Sequence, residues 1–161
     1  SHYRENFERW LETERIVCKP YFHLRPSIHP ATYTDIYARS LYAAEDGDMN
    51  KLEQKLIVEL TALPNVRWWH RNIARQDFAI NGFIKHYPDI LIMTKSGKLI
   101  CAETKGEHLK NDDSREKIAL GQAWRTAAGK DYRYYMVFEN EENLLPGAVS
   151  MSQFIDTVKA L

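Results

Sequence analysis

Residues 87–106 read YPDILIMTKSGKLICAETKG. Two β-patterned runs, Asp89–Thr94 and Leu99–Lys105, flank the short loop Lys95-Ser96-Gly97. A three-residue loop ending in glycine predicts a type I turn followed by a left-handed residue, a conformation glycine adopts without steric cost. That turn sets Thr94 opposite Lys98, and the ladder then carries Asp89 opposite Glu103. Strand side chains alternate between faces. Cys101, Glu103 and Lys105 therefore share one face with Asp89, while Ile100, Ala102 and Thr104 share the other. A two-residue loop at Ser96-Gly97 would slide the pairing by one residue and separate the two carboxylates.

Two carboxylates side by side raise each other's pKa unless a cation lies between them. Their hard oxygens suit Mg²⁺, with Mn²⁺ as a substitute. Asp89 and Glu103 are the expected metal ligands, and the backbone carbonyl of Thr104 is a further one. Lys105 is placed to orient a water or to neutralise charge growing on a phosphate.

Outward from this hairpin, NKLEQKLIVELTAL at 50–63 predicts a helix. Asn50 is its expected N-cap, Glu53 occupies N3, and Leu52, Leu56, Ile57, Leu60 and Leu63 form its apolar face. VRWWH at 66–70 and DFAINGFI at 77–84 read as strands, the second with a bend at Asn81-Gly82. Residues 113–128 predict a helix opened by an Asp113/Glu116 capping box and closed by Gly129. YRYYMVF at 132–138 is an aromatic strand, and 150–160 a last helix capped by Ser150.

At the other end, residues 3–15 predict a short helix with Phe7, Trp10 and Leu11 as its stripe. Residues 18–34 hold Pro20, Pro26 and Pro30 and read as an irregular arm. Residues 35–44 are a second short helix, and EDGD at 45–48 a turn. The expected class is α/β (α+β), a mixed central sheet flanked by helices. Residues 1–44 form an N-terminal helix and arm packed on a core of residues 45–161.

The 161 residues are 44% hydrophobic and 27% charged, which excludes a disordered or fibrous chain. The formal net charge is zero, so binding to nucleic acid by bulk charge is excluded while a local patch is not. Residues 64–110 carry eight basic against four acidic side chains and are the candidate anion-facing segment. Two cysteines, Cys18 and Cys101, build no disulfide framework and point to a reducing, cytoplasmic setting. No apolar run approaches the roughly 20 residues of a membrane span, and no signal peptide opens the chain. The start Ser-His, without methionine, reads as a tag remnant on a piece of a longer protein.

Pro88-Asp89 followed by Glu103-Thr104-Lys105 resembles the signature of the PD-(D/E)xK nuclease superfamily. With NKLEQKLIVEL, WWHRN at 68–72, YPDILI, ETKG and DDSREK at 112–117, the chain is most similar to the C-terminal endonuclease domain of type III restriction subunits and related helicase–nucleases. The resemblance covers about residues 45–140. It implies an αβββαβ restriction-endonuclease-like core and Mg²⁺-dependent hydrolysis of DNA, leaving a 5′-phosphate and a 3′-hydroxyl. It also implies an N-terminal helicase or translocase domain and a modification or recognition subunit as partners. Asp89 and Glu103 would hold the metal and Lys105 would assist the water. An acidic residue on the first core helix completes such sites; Glu53 and Glu59 both qualify, and Glu53 lies on the apolar side. Exonuclease relatives carry a glutamine followed four residues later by tyrosine, whereas here Gln122 is followed by Thr126.

His70, Arg71, Arg75 and Lys117 are expected phosphate contacts, and His108, Lys110 and Arg125 weaker ones. Such contacts position DNA without reading its sequence. Trp68 and Trp69 cannot both face inward, so one packs in the core and the other covers a helix or meets a base. Cys18, His23 and His29 match no zinc spacing. No phosphate-binding glycine loop and no serine or cysteine nucleophile set is present. A rival function is a nuclease fold without catalysis, kept to bind nucleic acid or to scaffold.

Overall fold

In a computed structural model the described residues are 2–15, 22–106, 112–142 and 144–161. In chain order their elements are α1 (His2–Glu12), β1 (Tyr33–Thr34), β2 (Glu45–Asp46), α2 (Lys51–Thr61), β3 (Val66–Arg71), β4 (Ile80–Asn81), β5 (Lys85–His86), β6 (Ile90–Thr94), β7 (Leu99–Lys105), α3 (Asp112–Ala128), β8 (Tyr132–Phe138), β9 (Val149–Ser150) and α4 (Met151–Lys159). The main sheet has the order β3-β6-β7-β8-β9. Its first three strands are antiparallel, and β8 and β9 join in parallel. The chain is thus mixed α+β, with helices against both faces of a mixed sheet.

The turn chemistry sets the hairpin register. Gly97 has φ +87°, its N–H donates to the Thr94 carbonyl, and the Thr94 N–H donates to the Lys98 carbonyl. The ladder runs Met93 with Leu99 to Ile90 with Ala102, so Asp89 and Glu103 meet just past its end.

Each face of the sheet has its own core. On one, Ile90, Ile92, Ile100, Ala102 and Trp69 pack against Leu56, Ile57 and Leu60 of α2 and Phe154 and Val158 of α4. On the other, Leu91, Cys101 and Tyr134 pack against Leu120 of α3, with Phe7 of α1 at the margin. Asn50 caps α2 by accepting from the Glu53 N–H at 2.8 Å, and Ser150 with Gln153 forms a full capping box on α4.

Several expected elements change. Residues 35–44 form no helix; they run beside β3, where Arg39 and Leu41 exchange backbone hydrogen bonds with Trp69. Glu45 and Asp46 of the expected turn pair as β2 with β1. Residues 77–84 are not one strand: the bend at Asn81-Gly82 becomes the corner of a β4–β5 hairpin. Asp113 lies inside the first turn of α3, not at its cap, and faces Lys117 at 3.3 Å. Trp10 of the α1 stripe is 44% exposed. Trp69 is the core tryptophan, while Trp68 lies half-buried on the opposite face.

Candidate active site

Three elements bring carboxylates to one end of the sheet. Glu53 comes from the first turn of α2, held there by the Asn50 cap. Asp89 precedes β6, and Glu103 is near the end of β7. Together with Thr104 and Lys105 they line a cleft of about 740 Å³ whose rim carries Lys51, Lys55 and Glu139. Glu59 does not line it. Glu53 approaches from the α2 side of the sheet and Glu103 from the α3 side, with Asp89 between them at the strand ends.

Asp89 is held by its surroundings. Its Oδ2 accepts from the Thr104 N–H at 2.9 Å and from the Thr104 hydroxyl at 3.1 Å. Its carbonyl accepts from the Asn72 N–H at 2.9 Å. The Asn72 side chain in turn donates to the carbonyls of Pro88 and Phe78 and accepts from the Phe78 N–H. Asn72 thus fixes the Pro88-Asp89 bend.

The crowding shows in the protonation equilibria. Burial, then the charge of Asp89, pushes Glu53 up to about 7, although Arg71 acts against this. Burial and Asp89 likewise push Glu103 well above the ordinary carboxylate range. Glu53 is 5% and Glu103 4% exposed; Glu53 Oε2 faces the Arg71 guanidinium at 3.0 Å without an aligned hydrogen bond, and Glu103 Oε1 has no hydrogen-bond partner. An unpartnered buried oxygen such as Glu103 Oε1 is costly and suits a cation. Among the described residues, no three His, Cys, Asp or Glu side chains are gathered closely enough to ligate one ion unaided. Asp89 is instead the middle member of two carboxylate pairs. The hard-oxygen donors Asp89 and Glu103, with Glu103 Oε1 unpartnered, fit Mg²⁺ or Mn²⁺ only with further ligands such as water.

Three basic side chains balance the carboxylates. Lys105 Nζ lies 3.6 Å and Lys117 Nζ 3.4 Å from Glu103 Oε2. Arg71 Nε lies 3.0 Å from Glu53 Oε2, and its Nη1 3.6 Å from Asp89 Oδ1. Burial alone would lower the Lys117 pKa, but Glu103 and Asp113 outweigh it and raise it.

The expected DNA contacts therefore need correction. His70 is not at the surface: it is fully buried, with Nδ1 2.6 Å from Glu45 Oε1 and Nε2 2.8 Å from Asp77 Oδ2. Arg71 points into the site, where it pairs with Glu53 and Asp89. Lys117 is engaged with Glu103 and Asp113 at the cleft's flank. Arg75 is exposed on a turn, away from the cleft lining, and Arg125 is exposed at the far end of α3. Thr104 offers its N–H and hydroxyl to Asp89; both belong to the cleft. His108, Lys110 and Cys18 lie outside the described residues.

Sequence reasoning missed His86 and Asn72. His86 Nε2 lies 2.8 Å from the Tyr134 hydroxyl beneath the site; burial, then Lys117, depresses its pKa to about 4. It also missed Lys51 and Lys55, which share one exposed helical face at a spacing of four and reach the cleft rim beside the buried Glu53. Comparison with family models, with curated proteins and with solved structures finds no match.

Proposed function

We propose that the chain is a divalent-metal-dependent endonuclease domain that hydrolyses DNA phosphodiester bonds, built on the restriction-endonuclease-like αβββαβ plan of the PD-(D/E)xK nucleases. The observation that carries this reading is the meeting of Glu53, Asp89, Glu103 and Lys105 in one cleft from α2, the bend before β6, and β7. Asp89 and Glu103 would hold Mg²⁺ or Mn²⁺, with Glu53 beside them and the Thr104 carbonyl as a further ligand. Bound there, the ion would polarise a phosphoryl oxygen and acidify a water.

The chain's own groups do the rest. Thr104 and Asn72 keep Asp89 oriented. Lys105, half-paired with Glu103, turns its ammonium towards the phosphate as charge builds on it. Lys51 and Lys55 on the cleft rim meet the backbone of the strand. A net charge of zero gives little non-specific affinity for DNA, which suits a domain that is handed its substrate by a helicase or translocase and a recognition subunit.

One observation favours a second reading, a nuclease fold that binds nucleic acid or scaffolds without cutting. Arg71, Lys105 and Lys117 already neutralise the three carboxylates internally. Cleavage of supercoiled plasmid at low salt separates the two. Nicking with Mg²⁺ or Mn²⁺ that stops in EDTA and in Asp89→Ala and Lys105→Ala supports the enzyme. No nicking, together with no Asp89-dependent metal binding in calorimetry, supports the scaffold.

A further inference from the structure

We propose that Arg71 is a resident cation of this site, filling its Glu53–Asp89 side so that the chain takes one divalent ion, on the Asp89–Glu103 side. The inference rests on the nuclease reading and deepens it.

The two sides of the cluster are built differently. Arg71 is the last residue of β3 and pairs with Ile90, which brings its side chain alongside Asp89. Its Nη1 donates to the Asp89 carbonyl at 2.9 Å and to the Asn72 carbonyl at 3.2 Å. These acceptors are backbone, in the segment that Asn72 clamps. From that anchorage the guanidinium reaches Glu53 Oε2 and Asp89 Oδ1, and its side chain is only 18% exposed. A guanidinium does not lose its proton in a protein, and its planar fork holds several acceptors in fixed directions. The charge on this side is therefore permanent.

Glu103 has a looser arrangement. Its two cations are ammonium groups on flexible four-carbon stems, and both approach the same oxygen, Oε2. The other oxygen, Oε1, is unpartnered although the residue is almost fully buried. Lysines can swing aside for an incoming ion or turn to a phosphate; Arg71, tied to two carbonyls, cannot. A divalent ion between Asp89 and Glu103 gains an unused oxygen. A second ion between Glu53 and Asp89 would have to displace a fixed positive charge. With a single ion held there, Lys105 and Arg71 would supply the remaining positive charge facing the phosphate.

Counting bound Mn²⁺ on the full chain by electron paramagnetic resonance tests this without any cleavage assay. The expected count at saturation is one per wild-type chain, two in Arg71→Met, and one again in the double variant Glu53→Gln/Arg71→Met, which removes the pair together. Circular dichroism checks that each variant is folded. Two ions in the wild type overturn the inference and leave the nuclease reading standing. One ion in folded Arg71→Met, or two in the double variant, also overturns it. No bound ion in the wild type overturns the metal-dependent reading itself. The wild-type count stands even if Arg71→Met does not fold.

Discussion

Glu53 holds a proton that an exposed glutamate would have lost. Its pKa of about 7 means that the folded chain binds this proton while the unfolded chain releases it, from the ordinary value of 4.5 upwards. The metal-free stability tied to Glu53 is therefore present below that ordinary value and lost as pH rises through about 7. A divalent ion held by the ionised carboxylates would expel such protons. Calorimetric titration with Mg²⁺ in two buffers of different ionisation enthalpy should show more proton release at about pH 6 than at about pH 9. Equal release at both would contradict a link between the site's protonated carboxyls and the ion. Lys105→Ala should cut nicking by about 10²-fold or more while Mn²⁺ still binds, since Lys105 acts on the phosphate side. Loss of metal binding in that variant would assign the lysine a different role.

Residue by residue, the legible part of the site was local. Gly97 and the three-residue loop carry enough turn chemistry to set Asp89 beside Glu103, and the apolar spacing of 50–63 turns Glu53 inward. His70 and Arg71 were not legible, because their partners are remote. His70 is buried by Glu45, 25 residues earlier, and by Asp77 across a turn. Arg71 needs both the α2 docking angle and the Asn72 clamp before its inward path exists. A strand written Trp-Trp-His-Arg carries no local sign that its charged end faces carboxylates rather than solvent.

At the scale of elements, α3 lies close on β8 because Gly121 has no side chain. A Cβ there would lie 2.1 Å from the Tyr134 ring, which is buried and bonded to His86. Gly121→Ala should therefore destabilise the chain by about 1–3 kcal/mol through overpacking, read from urea melts. It should also shift Lys117 on the same helix and so weaken metal binding. A neutral substitution would mean that α3 glides on β8 at no cost. Ser150→Ala removes half of the α4 capping box and should cost about 1 kcal/mol, with the cleft unaffected. A loss of cleavage in that variant would tie α4 to the site. The short β4–β5 hairpin and β9 escaped the sequence because two-residue pairings leave no periodicity to read.

For the whole molecule, a second polar chain outside the site links Arg25, Asp77, His70 and Glu45, the last three with buried side chains. It joins the arm to β3. Arg25 Nε lies 2.7 Å from Asp77 Oδ1, and Glu45 Oε1 accepts the Arg71 N–H as well as facing His70. Burial alone would lower the His70 pKa, but hydrogen bonds to Asp77 and Glu45 outweigh it and raise it. This stabilisation is full below the ordinary histidine value and is lost as pH rises through the raised one. His86 has the opposite sign: its contribution is full above 6.5 and lost as pH falls through about 4. His70→Gln should remove the alkaline loss and cost about 3–5 kcal/mol, because two buried carboxylates lose their bridge. Denaturant melts across pH give both numbers, and an unchanged profile would show that the bridge is idle. No helix among the described residues is long and apolar enough to cross a membrane.

Glu53 and Arg71 reach the cleft from one side of the sheet, and Glu103 and Lys117 from the other. The cluster thus works as a logical conjunction: neither layer alone carries a complete constellation. A nascent or partly unravelled chain, with α2 or α3 detached, would present half the charges and no place for a scissile phosphate. On the proposed nuclease reading, cleavage would be withheld until tertiary assembly is finished.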